Sequence, residues 1–103
     1  MRQDLTDVKA LFTDTDRYVG TEIKVAGWVR SNRNSKNVGF LVVNDGTYFT
    51  PLQVVYSQDT KDFAKLGSIN VGAAVIATGK LIATPNAKQP FELQATEVFV
   101  EGE

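Results

Sequence analysis

The segment from Val25 to Phe40 constrains the fold of this chain more than any other stretch of its sequence. It begins as a strand-like run that contains Gly27, continues through polar residues, and returns as a second apolar run with Phe40 near its start. The polar part carries three cations, which are Arg30, Arg33 and Lys36. The segment therefore predicts two consecutive β-strands joined by a basic loop.

Alternating apolar residues elsewhere predict three further strands. The five runs are Ile23–Arg30, Gly39–Val43, Leu52–Tyr56, Val75–Ile82 and Phe91–Val100. Glycines fall inside the first and fourth runs, where a barrel strand must bend. Asn44–Thr47 is a turn signal, and Thr84–Pro90 is a loop bracketed by prolines. One or two helical turns are expected within Thr60–Leu66, between the third and fourth strands.

The N-terminal residues predict a helix. Leu5, Val8, Leu11 and Phe12 recur at helical spacing, and we expect a helix of about two to three turns that Asp4 or Thr6 caps. The segment Asp14–Gly20 is expected to be a loop. Three strands, a helix and two strands is the order of an OB-fold, an all-β, five-stranded Greek-key barrel with short helices. A split-barrel or SH3-like alternative fits the inserted helix less well.

Length and composition exclude several classes of protein. The 103 residues predict a single domain over residues 1–103. Cysteine and histidine are absent, so the usual proton shuttle and the commonest transition-metal ligands are missing. We therefore expect this chain alone to be no enzyme and to hold no metal or cofactor. No apolar run reaches the length of a membrane span, and we expect a cytoplasmic protein with no membrane partner.

The cations are unevenly distributed although the net charge is only −1. Residues 23–44 carry four cations and no acid, and residues 63–91 carry Lys65, Lys80 and Lys88 and no acid. In an OB-fold the binding face consists of the second and third strands and the two loops that flank them. We expect Arg30, Arg33 and Lys36 in one of these loops and Lys88 in the other, where they can contact phosphates.

Strand parity assigns two side chains to the outer surface. If Leu41 and Val43 fill the core, Phe40 points outward, and if Leu52 and Val54 fill the core, so does Gln53. An exposed ring beside an exposed amide suits a nucleobase, because the ring stacks and the amide both donates and accepts hydrogen bonds. The alternative is that Phe40 lies in the core and that the preceding glycine marks a shifted parity.

Several short motifs together resemble one known family. Gly27–Arg30, Gly39–Phe40, Asn44–Gly46, Leu52–Val55 and Phe91–Ala95 are similar to the N-terminal anticodon-binding domain of the aspartyl, asparaginyl and lysyl class of tRNA synthetases. The resemblance covers essentially the whole chain and is strongest to bacterial-type asparaginyl-tRNA synthetases. One departure is Gly39, which stands where relatives usually have a branched or apolar core residue.

The resemblance implies roles for individual residues. Phe40 matches the position that stacks on the central uridine of the anticodon, and Gln53 matches the position whose amide bonds that uridine. Arg33 and Arg30 match a loop that meets the first anticodon bases and phosphates. Gln94 stands where aspartate-specific relatives place an acid, so it is the candidate reader of the third base, with Glu92 beside it and Lys88 as a further candidate contact.

The same resemblance implies the partners. The tRNA anticodon loop would be the ligand, while ATP and magnesium would belong to a catalytic domain whose motifs this chain lacks. We expect the isolated chain to be monomeric and the parent synthetase to be a homodimer. The alternatives are an aspartyl or lysyl counterpart, a general binder of single strands, and a protein-interaction β-barrel with Phe40 as its anchor.

Overall fold

The computed structural model describes residues 5–85, 87 and 89–102. Five strands and three short helices make up this part of the chain. In chain order they are α1 (Val8–Thr13), α2 (Thr15–Tyr18), β1 (Glu22–Asn34), β2 (Val38–Asn44), β3 (Leu52–Ser57), α3 (Phe63–Leu66), β4 (Ala74–Ala83) and β5 (Phe91–Gly102).

The strands form a closed barrel in the order β1-β2-β3-β5-β4, and β4 pairs back onto β1. Every pairing is antiparallel except that of β3 with β5, which is parallel and joins only Val54 to Leu93 and Val55 to Gln94. This strand order is that of a five-stranded Greek-key OB barrel. The predicted fold class is therefore confirmed.

The predicted alternation of buried and outward-facing residues is also confirmed. Leu41, Val43, Val54 and Val75 are completely buried, because inward-facing side chains from all five strands fill the barrel. Phe40 lies between two buried positions of β2 and is only half-buried. It therefore belongs to the outer face, and the alternative that placed its ring in the core is wrong.

Tyr56 explains why β2 has a glycine at its inward position 39. The two residues are register partners, and a side chain at Gly39 would overlap the Tyr56 ring. That ring is 1% exposed, and its hydroxyl donates to Asn32 Oδ1 at 2.8 Å. The large side chain of Tyr56 thus supplies the core volume that Gly39 lacks.

Asn32 extends this contact to the helix at the end of the barrel. Its Nδ2 donates to the carbonyl oxygens of Leu66 at 2.9 Å and Ile69 at 3.1 Å. Leu66 is the last residue of α3, and its carbonyl also accepts from the N–H of Ile69 at 3.2 Å, so the amide of Asn32 ties the end of this helix to the barrel. Burial raises the pKa of Tyr56 above its ordinary value of 10.0.

The start of the N-terminal helix differs from the prediction. Asp7 occupies the cap position but makes no side-chain cap bond, whereas Thr6 donates its backbone N–H to Lys24. Asp45 caps the helix instead, because its Oδ2 accepts from the N–H of Val8 at 2.8 Å. The proposed cap at Asp4 lies outside the described residues.

The region after α1 also differs from the prediction. The segment expected as a loop over residues 14–20 contains the short helix α2, which exposes all four of its residues or leaves them half-buried. The sequence of α2 shows no apolar residues at helical spacing, because this helix has no buried apolar stripe. In α1, by contrast, Val8 and Leu11 are buried against the barrel.

Candidate nucleic-acid interface

A β-bulge at Arg30 determines which side chains of β1 face outward. Val29 pairs with Val43 and the next pair is Ser31 with Val42, so Arg30 has no register partner. Before the bulge the odd-numbered residues face the core, as Val29 does. After it the parity is reversed, so that Asn32 contacts the interior and Arg33 faces solvent.

The prediction that Arg30 and Arg33 lie in a loop is wrong. Both are exposed residues of β1, which extends to Asn34. The connection to β2 is only residues 35–37, and Lys36 is exposed within it. Arg33 is therefore held by its pairing with Phe40, which fixes its backbone more firmly than a mobile loop would, whereas Arg30 is the unpaired residue of the bulge.

Register places five outward-facing residues in one line across the barrel. Arg33 pairs with Phe40, which pairs with Val55, and Gln94 links Val55 to Lys80. We call these residues the outer row. Neighbouring strands lie about 4.8 Å apart, so the outer row presents a cation, a ring, an aliphatic side chain, an amide and a second cation in succession.

Phe40 borders an open depression on the β1 side of the outer row. The depression has a volume of about 250 Å³ and is lined by Arg33, Asn34, Ser35 and Phe40. A half-buried ring with a guanidinium beside it can stack on a base while the cation meets the charged backbone of the same strand. This depression can therefore accommodate one flat ligand.

Gln53 lies one step along the strands from Phe40. Its register partner is Val42, so Gln53 and Phe40 are diagonal neighbours on the outer face, within reach of one another. Gln53 is half-buried. The structure thus brings together the two residues that strand parity assigned to the outer surface.

Gln94 and Glu92 lie side by side on the outer face of β5. The Nε2 of Gln94 donates to Glu92 Oε2 at 3.3 Å. Gln94 also lines a second depression of about 400 Å³ with Val55, Ser57, Lys80 and others. The exposed amide therefore contacts its acidic neighbour and remains accessible to a ligand.

Lys80 is a candidate site residue that sequence reasoning missed. It is exposed and in register with Gln94, and it forms no ion pair or hydrogen bond with another described residue. Its membership of an acid-free stretch was the available signal, but only the pairing of β4 with β5 reveals its neighbours. The predicted contact Lys88 lies outside the described residues.

Among the described residues, no group of three or more acidic, histidine or cysteine side chains lies close enough together to hold a metal ion. No helix among the described residues is both long and apolar enough to cross a membrane.

Solved structures with the same fold include two synthetases and an OBody. The asparaginyl-tRNA synthetase of Pyrococcus horikoshii superposes with a TM-score of 0.73 at 24% identity, covering 84% of this chain and 21% of that one. A putative aspartyl-tRNA synthetase of Leishmania major gives 0.79 at 15% identity, covering 100% and 22%. An OBody bound to hen egg-white lysozyme gives 0.74 at 22%, covering 84% and 87%. At these identities the likeness concerns the fold alone.

Curated relatives are more similar in sequence. The asparagine–tRNA ligase of Acetivibrio thermocellus is 50% identical over 98 residues, which are 94% of this chain and 21% of the relative. That of Alkaliphilus oremlandii is 46% identical over 96 residues, or 93% and 21%. The chain thus spans about a fifth of the length of these relatives. Residues 23–101 match the tRNA anticodon family model, and the chain belongs to this family of OB-fold nucleic acid binding domains.

Proposed function

We propose that this chain is the anticodon-binding domain of a longer asparagine–tRNA ligase and that it grips the unstacked bases of the anticodon. The observation that carries the proposal is the position of Phe40 and Gln53 as diagonal neighbours on the outer face, with Arg33 in register with Phe40. The sequence similarity to asparagine–tRNA ligases over 94% of the chain supports the same ligand.

In this proposal, some residues of the outer face contribute affinity and others select the base. The Phe40 ring stacks on the central base, a contact typically worth about 1–3 kcal/mol, and the Gln53 amide bonds the edge of that base. Arg33, Arg30 and Lys36 meet phosphates near the first base. Lys80 does the same at the other end of the outer row.

Gln94 selects the third base in this proposal. Asparagine and aspartate anticodons differ there by uracil against cytosine. An amide both donates and accepts, so it matches the carbonyl and the N–H of uracil, whereas a carboxylate only accepts and suits the amino group of cytosine. Glu92 holds the Gln94 amide at 3.3 Å in the free protein and orients it for this contact.

The catalytic part of the proposed ligase would lie outside this chain. ATP and magnesium would bind there, and the domain would contribute only tRNA recognition. We further propose that the isolated domain is monomeric, that the longer protein is a homodimer, and that it acts in the cytoplasm.

A titration of anticodon stem-loops tests the proposal. Loops with GUU, GUC and UUU anticodons on one common stem should be compared at one salt concentration, because phosphate contacts make affinity salt-dependent. We expect the GUU loop to bind most tightly. A preference for GUC or UUU would indicate an aspartyl or lysyl counterpart, and equal affinities would indicate a general single-strand binder.

A protein-binding barrel is the second candidate. Trp28 and Phe99 are 52% and 56% exposed, and both lie on the outer surface of strands that border β4. Exposed aromatic residues often anchor protein partners. The absence of binding to every stem-loop would favour this candidate over nucleic-acid recognition.

A further inference from the structure

Phe49 is a large apolar side chain for which the proposed function has no role. It lies in the connection between β2 and β3 and is 85% exposed, more than Trp28 or Phe99. A phenylalanine ring that remains in contact with water does not contribute the stabilising free energy that its burial would supply. Its exposure therefore suggests a ligand, provided that the ring is held in place.

An aromatic column holds the ring. Phe91, which is fully buried, contacts Phe12 with ring centroids 4.7 Å apart. Phe12 stacks on Tyr48 at 4.9 Å and an interplanar angle of 17°. The Tyr48 ring in turn contacts Phe49 at 4.5 Å. Phe49 is thus the exposed end of a continuous column of four rings that begins in the core.

The backbone around Phe49 is also anchored. Asp45 and Thr47 accept hydrogen bonds from the first N–H groups of α1, at 2.8 and 3.0 Å. Two residues after Phe49, the carbonyl of Pro51 accepts a hydrogen bond from Gln89 Nε2 at 3.1 Å. These bonds at both ends fix the connection, so the Phe49 ring occupies a defined position rather than a mobile loop tip.

Pro51, two residues after Phe49, continues the outer face along β2 and β3. The register pairs Phe40 with Val55 and Val42 with Gln53, and Pro51 is the next outward position beyond Gln53. Four residues of strand separate the levels of Phe40 and Pro51, or about 13 Å. At about 3.4 Å per stacked nucleotide, that is about four nucleotides, and fewer in an extended strand.

We propose that Phe49 is a second base-stacking platform, which takes a nucleobase of the anticodon loop outside the anticodon itself. This rests on the proposed function, since the outer row and Gln53 take the anticodon bases. A base fits the site better than a phosphate does, because the nearest charged side chain in the connection is the acid Asp45, already engaged by α1. Stacking needs no cation and tolerates any base.

The test uses the 103-residue protein and a GUU stem-loop in which each loop nucleotide outside the anticodon is made abasic in turn. With the wild-type protein, one of these substitutions should weaken binding about five- to a hundredfold, the worth of one stacked base. Phe49→Ala should bind the intact loop more weakly by the same factor and should be insensitive to that abasic substitution. Phe49→Trp should restore both the affinity and the sensitivity.

Phe99→Ala is the matched control, because it removes another exposed ring from a different part of the barrel, and it should leave binding unchanged. Phe49→Leu, which keeps the apolar bulk but loses the ring face, should behave as Phe49→Ala does, with an unchanged melting temperature in both. If Phe49→Ala binds like wild type while Phe40→Ala is weakened, the inference is overturned and the proposed function stands. If the same abasic losses persist in Phe49→Ala, the ring stacks on no base and the inference is likewise overturned. If the wild-type protein binds no stem-loop, the proposed function and the inference fall together.

Discussion

The two sides of β1, β2 and β3 differ sharply at one level of the barrel. On the inner side, Asn32, Gly39 and Tyr56 interlock through ring contact and hydrogen bonds. On the outer side, the adjacent residues Arg33 and Phe40 border an open depression. Neighbouring positions of a strand alternate between the two sides. Residues that contribute to stability therefore lie next in sequence to residues that are available for binding. We therefore expect changes on the inner side to lower stability and changes on the outer side to lower affinity.

The largest expected effect comes from filling the glycine of the inner side. Gly39→Val would push a side chain into the Tyr56 ring, and such overpacking should lower the free energy of unfolding by about 3 kcal/mol or more. Urea denaturation with an unchanged m-value would measure the loss. Combining Gly39→Val with Tyr56→Ala should relieve the overlap, so the double variant should lose less than the sum of the two single losses. Strict additivity would contradict the interlocking.

The next effect concerns the ring on the outer side. Phe40→Ala should weaken binding of the GUU stem-loop by roughly 1–3 kcal/mol, because one base–aromatic stack is lost. Its unfolding free energy should fall by much less than the roughly 3–5 kcal/mol that is lost when a core phenylalanine is replaced by alanine. Phe91→Ala, at a fully buried position, supplies the core reference. A Phe40→Ala variant that lost stability as Phe91→Ala does, with little change in affinity, would assign the ring to the core.

Gln94→Glu tests selection at the far part of the outer row. The carboxylate gains the cytosine amino group as a partner and opposes the uracil carbonyl, so preference should move from GUU toward GUC by about tenfold. Titration of both loops against both proteins at one salt concentration measures the ratio. Glu92→Gln is the matched control for the neighbouring acid. Parallel losses on the two loops would remove Gln94 from the residues that read a base.

Tyr56→Phe tests the hydrogen bond of the inner side. Removing the hydroxyl leaves Asn32 Oδ1 without its donor, which should lower the unfolding free energy by about 1 kcal/mol. Because burial raises the pKa of Tyr56 in the folded chain, unfolding releases its proton above pH 10. Stability should thus be constant with respect to this group below its ordinary pKa of 10.0 and fall as the pH rises above it. The variant should show a shallower alkaline fall, and identical pH profiles would contradict this.

The smallest effects belong to the cations at the two ends of the outer row. Arg33→Ala and Lys80→Ala should each weaken all stem-loops alike and lower the slope of log affinity against log salt by up to about one. Lys61→Ala, whose ammonium lies 3.5 Å from Glu97, should leave the slope unchanged. An unaltered slope for either test variant would place that side chain away from the phosphates.

Sequence alone predicted the barrel and the outward direction of Phe40 and Gln53, because apolar alternation in β2 and β3 is regular. It did not predict the bulge at Arg30. After the bulge the inward position is the polar residue Asn32, which hydrogen bonds satisfy, so no apolar period continues there. The polar run consequently resembled a loop although it is a paired strand.

Two other features depend on residues far apart in the chain. The cap of α1 comes from Asp45, 37 positions after Val8, whereas a sequence search for caps examines only adjacent residues. Lys80 joins the outer row only through the register of β4 on β5. Local patterns carry no information about either contact, since tertiary pairing creates both.

The distant cap of α1 has a consequence for the order of events during synthesis. The six residues of α1 leave the ribosome well before Asp45 does, and so short a helix is unstable by itself in water. Translation at roughly 5–20 residues per second therefore imposes a waiting period of seconds before the helix can gain its cap. We expect α1 to form late, after the β2–β3 hairpin, so Val8→Ala should accelerate unfolding and leave the refolding rate nearly unchanged. A segment made before the strands that stabilise it would then be among the last to fold.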